Sequence, residues 1–412
     1  MKRADTVVIG AGLAGLMAAL ASAEQGQRVT LLSYGSGTLA LGTGTIDILG
    51  YDGEHRPVSS PREALPKLPQ DHPYRRLGTA WVEEAAGYFL DITKKYGFPY
   101  EGSLDRQIMV PTAVGTMKPT CLVPKSLNGS PLKSGKNIVI VGIKGMKDFY
   151  ADIMAENLKK NLPGQSFEVA EVDSGLAHGR DILTLDVARR LDTETGRRLL
   201  TEQLRPFAEG GTVFLLPQIL GTRDGECAAD LGRRLGAEVI ETTCLPPSVN
   251  GLRLQNMLTK ALHKLGVDMV EDTRVLGAAT EGTTCKAVVA KAALRERQYT
   301  GDKFILATGG FYSGGIVLRR FEEPVEPIFG LPVWFPPGEE NWSNEQLFSC
   351  RPQGFASTGI LTDEALHPVD GNGKVIFNNV HVVGRNLGKY DFCFEHSGNG
   401  VALVSAYRAT RA

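Results

Sequence analysis

Hydrophobic and polar positions run along this chain in two rhythms, and the first three dozen residues carry both. Thr6–Ile9 is a short, nearly unbroken apolar run with the length of a buried strand, Leu13–Glu24 has helical spacing, and Val29–Leu32 is a second apolar run. Strand, helix and strand in that order predict a βαβ unit with parallel strands. Across 52–77, Pro, Arg, His and Ser accumulate, which predicts connecting loops. Beyond them the pattern predicts strands at 138–141, 167–172 and 212–216, with helices at 146–162 and 185–207. After Pro246 and Pro247 the first rhythm resumes, with a helix at 252–265, a strand at 267–270, a small meander through 288–291 and 297–299, and a strand at 304–307. A strand, a polar loop and a helix close the chain over 380–411. The expectation is an α/β protein with a Rossmann-like frame at 1–55 and 248–412, and an α/β insertion at 56–247.

Composition narrows the classes of function. A chain of 412 residues exceeds what one hydrophobic core usually serves, and 42% hydrophobic with 22% charged residues suits a folded globular protein. Lys plus Arg number 45 against 46 Asp plus Glu, and the basic residues are scattered, so nucleic acid is not an expected partner. The cysteines at 121, 227, 244, 285, 350 and 393 form no C-x-x-C pair, so neither zinc nor an iron–sulfur cluster is expected here. Lys2 and Arg3 before an apolar run ending in Ala21-Ser22-Ala23 imitate a secretory signal, but Asp5 and the spaced glycines fit the βαβ unit instead. No run is long and apolar enough to predict a membrane span, and a cytoplasmic protein is expected, reaching any membrane through a partner.

Gly10-Ala11-Gly12-Leu13-Ala14-Gly15 lies between the first strand and the first helix. Gly10 permits the tight turn, Gly12 lets the backbone approach a pyrophosphate, and Gly15 lets helix and strand pack closely, while the helix start offers N–H groups and a positive dipole end. The acid expected at the end of the second strand, for the ribose hydroxyls, is Ser33. That substitution leaves open a mononucleotide, FMN, or FAD held at its ribose more modestly by Ser33. Gly42, Thr43, Gly44 and Thr45 suit the edge of a flavin ring, or an ordinary Gly/Thr loop. Thr308 and Gly309 at the end of an apolar strand, then Gly384 and Arg385 with Asp391, and Gly398, Asn399, Gly400 and Val401 opening the last helix, complete three separated glycine elements in the order of two-dinucleotide flavoproteins. The fold class expected is therefore a Rossmann-like flavin-binding domain of that type with an inserted α/β cap. His396 is a weak catalytic candidate against a packing histidine, and Arg253 and Arg385 are arginines for which structural ion pairs are the ordinary explanation.

Four internal runs carry more specific information. Pro111-Thr112-Ala113-Val114-Gly115-Thr116, Gly142-Ile143-Lys144-Gly145-Met146-Lys147-Asp148-Phe149, Pro247-Ser248-Val249-Asn250-Gly251-Leu252-Arg253-Leu254-Gln255-Asn256 and Gly310-Phe311-Tyr312-Ser313-Gly314-Gly315 resemble the anaerobic glycerol-3-phosphate dehydrogenase B subunit, end to end along the chain. The resemblance implies oxidation of sn-glycerol 3-phosphate to dihydroxyacetone phosphate, FMN in this chain, a larger FAD-bearing A subunit, and an iron–sulfur C subunit leading to quinone. The chain departs from that pattern at Gly388-Lys389-Tyr390-Asp391-Phe392 and at Glu395-His396. Two other expectations are a self-sufficient FAD enzyme of the fumarate reductase type and a scaffold without cofactor. For the former, His55, His72 and His178 sit in no recognisable catalytic pattern.

Overall fold

Five short strands, drawn from both ends of the chain, pair in parallel in the order Asp268–Val270, Val29–Leu32, Thr6–Ile9, Lys303–Leu306 and Val380–Val382. The computed structural model describes residues 2–412 apart from 135, 136, 177, 178, 180, 224, 294, 321, 347, 348 and 350; His178 and Cys350 thus lie outside the described residues. Every residue of Thr6–Ile9 and Val29–Leu32 is buried, as a parallel sheet covered on both faces requires. The helix Leu13–Glu24 buries all of residues 13–22 and packs against Gly398–Ala409, a helix buried almost all round as well. An antiparallel meander of Thr273–Glu281, Thr284–Ala292 and Arg295–Thr300 gains Lys2–Arg3 as a parallel fourth strand.

These elements belong to one compact unit, formed by Met1–Thr38, Asp47–Phe89 and Leu258–Ala412. The other unit is formed by Leu39–Ile46 and Leu90–Met257, so the divisions pass within the helices Thr79–Lys95 and Val249–Lys264. The insertion expected at 56–247 has other limits than this unit, because residues 47–89 pack with the first unit. The second unit holds its own four-stranded parallel sheet, in the order Glu238–Glu241, Thr212–Leu216, Asn137–Ile143 and Phe167–Val172. Its core gathers Val139, Ile140, Phe214, Leu215, Leu204 and Leu231, all fully buried.

Three sequence expectations give way here. The helix expected over 185–207 is two, Thr184–Leu191 and Glu194–Leu204, with Thr193 accepting the Gly196 N–H at 3.1 Å to start the second. The helix expected from 146 begins only at Ala151. The loops expected over 52–77 contain the short helices Pro61–Ala64 and Pro73–Leu77.

Candidate functional site

A cleft of ≈ 620 Å³ opens at the carboxyl ends of the parallel strands, where Ile9, Leu32, Ala307 and Val383 form part of its wall. Gly10, Gly12, Leu13 and Ala14 line it; so do Thr308, Gly309, Arg385, Gly398 and Asn399. The glycine loop has the shape that an anion needs. Gly10 has φ +109°, and a side chain there would strike the Ala307 carbonyl, while one at Gly15 would strike the Gly10 carbonyl. Gly12 differs: nothing lies within 4 Å of where its Cβ would point, so its missing side chain leaves room at the cleft. Gly37 approaches Gly12 from the other side, where a Cβ would come within 2.7 Å of the Gly12 Cα.

Two helices present uncapped starts to this space. Gly12 and Ser397 occupy the N-cap positions of Leu13–Glu24 and Gly398–Ala409, neither supplies a side-chain cap, and neither first turn carries an acid. Helix N-termini left in that state attract negative charge. At the far end Tyr34, Thr273, Arg274 and Val275 extend the wall, with the Arg274 guanidinium 5.9 Å from the Tyr34 ring centroid. These residues carry no fingerprint of their own, although Gly35 and Gly37 after the second strand were a sign that the chain stays close to the cleft.

The other sequence candidates fall into different places. Ser33 is buried in backbone pairing, its N–H donating to Val270 O at 3.0 Å and its carbonyl accepting from Thr273 N at 2.8 Å, and it is not among the cleft-lining residues. Gly384 (φ +67°) lies under the site, with its N–H donating to Ser405 Oγ at 2.9 Å, and Gly400 fits against Tyr74 and the Asp47 carbonyl. Val401 is fully buried. Gly42, Thr43, Gly44 and Thr45 belong to the second unit, where Asn250 Nδ2 donates to Thr43 O at 3.0 Å and Tyr100 Oη donates to Gly44 O at 2.6 Å. Arg253 is 1% exposed in that unit, paired with Glu241 at 2.7 and 2.9 Å and donating to Gly221 O.

Sequence reasoning passed over Asn386. It is fully buried, accepts the Gly309 N–H at 2.8 Å and donates to Thr308 Oγ1 at 3.0 Å, fixing the turn that Thr308 and Gly309 contribute to the wall. Arg385 beside it stacks 4.2 Å over Phe392. His396, at φ +49°, sets its ring edge-on to Tyr51 at 4.8 Å and is not among the cleft-lining residues. Asp391 accepts backbone N–H groups from Gln353, Cys393 and Phe394 at 3.0 Å each; burial pushes its carboxyl up against those donors.

A second cleft of ≈ 600 Å³ in the same unit is lined by residues from 49–72, 352–357 and 389–395. On its wall His72, 2% exposed, faces Glu395, with Nε2 and Oε1 3.0 Å apart. His72 Nδ1 accepts the Tyr74 N–H at 3.1 Å, so Nε2 carries the ring hydrogen and donates it to the carboxylate. Glu395 Oε1 also accepts from Ser397 Oγ at 2.6 Å. The His72–Glu395 pair spans more than 300 residues of chain, which is why no local pattern pointed to it.

Among the described residues no helix is long and apolar enough to cross a membrane, and no group of three or more His, Cys, Asp and Glu is placed to hold a metal.

Residues 5–401 match the FAD binding domain family. The probable anaerobic glycerol-3-phosphate dehydrogenase B subunit of Halobacterium salinarum is 33% identical over 98% of this chain and 96% of its own length. The corresponding B subunit of Pectobacterium carotovorum is 32% identical over 98% and 97%. Among solved structures, 3-ketosteroid delta1-dehydrogenase from Sterolibacterium denitrificans covers 100% of this chain and 99% of its own, with a TM-score of 0.48 at 12% identity. With nearly its whole length matched, and with a cleft whose glycine loop and uncapped helix starts suit a flavin's phosphates and ring, the chain belongs to the FAD-binding domain family of flavin oxidoreductases and, within it, to the anaerobic glycerol-3-phosphate dehydrogenase B subunits.

Proposed function

We propose that this chain is the flavin-carrying B subunit of a multi-chain dehydrogenase that oxidises sn-glycerol 3-phosphate to dihydroxyacetone phosphate. The observation that carries the reading is the cleft of ≈ 620 Å³ between two uncapped helix starts. The backbones of Gly10, Gly12, Leu13 and Ala14 would hold the pyrophosphate, and those of Thr308, Gly309, Gly398 and Asn399, with the Arg385 side chain, the ring end. Bound there, a flavin supplies two-electron oxidation of a carbinol. The protein supplies a closely shaped wall and fixed dipoles.

FAD is the flavin we propose. Tyr34, Thr273, Arg274 and Val275 continue the wall past the end of the second strand, which gives an adenosine a place without an acid at Ser33. FMN, expected from Ser33 and from the family resemblance, is the alternative. A larger FAD-bearing chain and an iron–sulfur chain passing electrons to quinone are the proposed partners; the relatives' designation as B subunits supports a multi-chain assembly.

The experiment is direct. The purified chain is expected to show flavin absorbance, acid release to yield FAD on chromatography, and glycerol 3-phosphate to drive dye reduction once partner chains are added. A colourless chain that takes up no flavin overturns the cofactor reading, release of FMN overturns the choice of FAD, and a flavin-loaded complex inert to glycerol 3-phosphate overturns the substrate.

A further inference from the structure

We infer that the second cleft binds the substrate's hydroxylated end and that Glu395 is the group that takes the hydroxyl proton; this rests on the polyol-phosphate reading above. The cleft of ≈ 600 Å³ shares no lining residue with the cofactor cleft; its volume is that of a small-molecule site, and apolar side chains such as Leu49, Val58 and Phe394 line it together with charged and polar ones. Glu395 is the group in it with the geometry of a base. Its Oε1 is taken by two donors, Ser397 Oγ at 2.6 Å and His72 Nε2 at 3.0 Å, while Oε2 has no partner among the described residues. The two donors lock the carboxylate in one orientation, and His72 is itself fixed by the Tyr74 N–H. The neighbouring carboxyl of Asp391 is engaged by three backbone N–H groups and is not available for the same work.

Position supports the assignment. Ser397, which holds Glu395, immediately precedes Gly398 and Asn399 in the wall of the cofactor cleft. Its hydroxyl donates to Glu395 instead of capping the helix, so a single serine connects the carboxylate to the uncapped helix start. Arg385 stacks on Phe392 in the same stretch, two residues from Tyr390 on the wall of the second cleft. Arg56, Lys67 and Lys389 also lie on that wall; Arg56 pairs with Asp52 at 2.9 Å and Glu54 at 2.8 Å, Lys389 pairs with Asp71 at 3.2 Å and covers the Trp334 ring, and Lys67 is exposed. Lys67 is the cation we assign to the substrate's phosphate.

The step balances as an alcohol oxidation. The O–H bond of the carbinol breaks and its proton passes to Glu395 Oε2; an oxidised flavin, when bound, would supply the two-electron acceptor for the carbinol hydrogen and its electron pair, leaving a C=O group. His72 and Ser397 are positioning residues in this step.

Titration calorimetry with glycerol 3-phosphate, on the chain with and without flavin, tests the site separately from turnover. Gly53 lines the cleft and has nothing within 4 Å of where a Cβ would point, so Gly53→Trp adds bulk without a clash. Binding by the wild type, weakened at least about tenfold in Gly53→Trp and in Lys67→Glu, is expected. Glu395→Gln is expected to bind within about threefold of wild type, to keep its flavin, and to lose about 100-fold or more in flavin bleaching by the substrate, with partial recovery in Glu395→Asp. Binding that is unchanged in Gly53→Trp, or bleaching that survives in Glu395→Gln, overturns the inference and leaves the substrate reading standing. A wild-type chain that binds no glycerol 3-phosphate overturns both.

Discussion

Single residues at the cofactor cleft divide into those that make room for the ligand and those that make room for the protein. Gly12 faces open space and Gly15 faces the Gly10 carbonyl, so two neighbouring glycines predict opposite phenotypes. Gly12→Val is expected to leave stability within about 0.5 kcal/mol of wild type, because its backbone is extended and nothing is struck, yet to purify without flavin. Gly15→Ala is expected to cost about 1–3 kcal/mol, since helix and turn must separate. Thermal denaturation with flavin quantitation distinguishes them; a flavin-retaining Gly12→Val contradicts the assignment of the loop. The loop itself was legible in the sequence because its chemistry is local. Asn386 and Glu395 were not legible, because Asn386 acts on Gly309, 77 residues away, and Glu395 is paired with His72, 323 residues away, contacts that only the folded chain assembles. Ser33 shows the opposite limit: the missing acid is a local feature, but the nearby wall of Thr273 and Arg274 comes from a strand no sequence spacing ties to it.

At the scale of elements, apolar runs gave strands dependably where burial is complete, as at Thr6–Ile9 and Thr212–Leu216, and also at the half-buried Phe167–Val172. Strand order was beyond them: Ile305 pairs with Val8 on one side and His381 on the other. Helix limits failed where a cap competes with the period, as at Thr193. The 17-residue helix Thr79–Lys95 went unread because Ala and Gly dilute its apolar stripe, although Val82, Ala85, Ala86, Phe89 and Ile92 have helical spacing and are all buried. The edge strand Val380–Val382 carries a testable pH dependence. His381 is 2% exposed, donates from Nδ1 to Ala365 O at 2.9 Å, and burial lowers its pKa to about 4, with Lys303 and His367 adding repulsion and Asp363 opposing them. Since the folded value lies below the unfolded one of about 6.5, the fold prefers the neutral ring. Its stabilising contribution is complete above about pH 6.5 and is lost as pH falls towards 4, by at most about 3 kcal/mol. His381→Asn keeps a donor to Ala365 and does not titrate, so its denaturation midpoint should fall less steeply over that window than the wild type's.

At the scale of the molecule, two units each own a parallel sheet and a core, so a single unfolding free energy does not describe the chain. Two perturbations address the units separately. Arg253 and Glu241 are both buried to within 1% of complete, and their pairing lies wholly in the second unit. Among the described residues, Arg253→Met leaves the Glu241 carboxylate with only the Leu220 N–H, at 2.6 Å, and removal of one partner from such a pair costs about 3–5 kcal/mol. The flavin site proposed above lies in the first unit, so saturation at about 100 times its dissociation constant should stabilise that unit by about 2.7 kcal/mol. Scanning calorimetry of the four combinations, wild type and Arg253→Met with and without flavin, is expected to show two transitions, one moved by the substitution and the other by the ligand. A single transition displaced equally by both would mean that the two cores unfold as one.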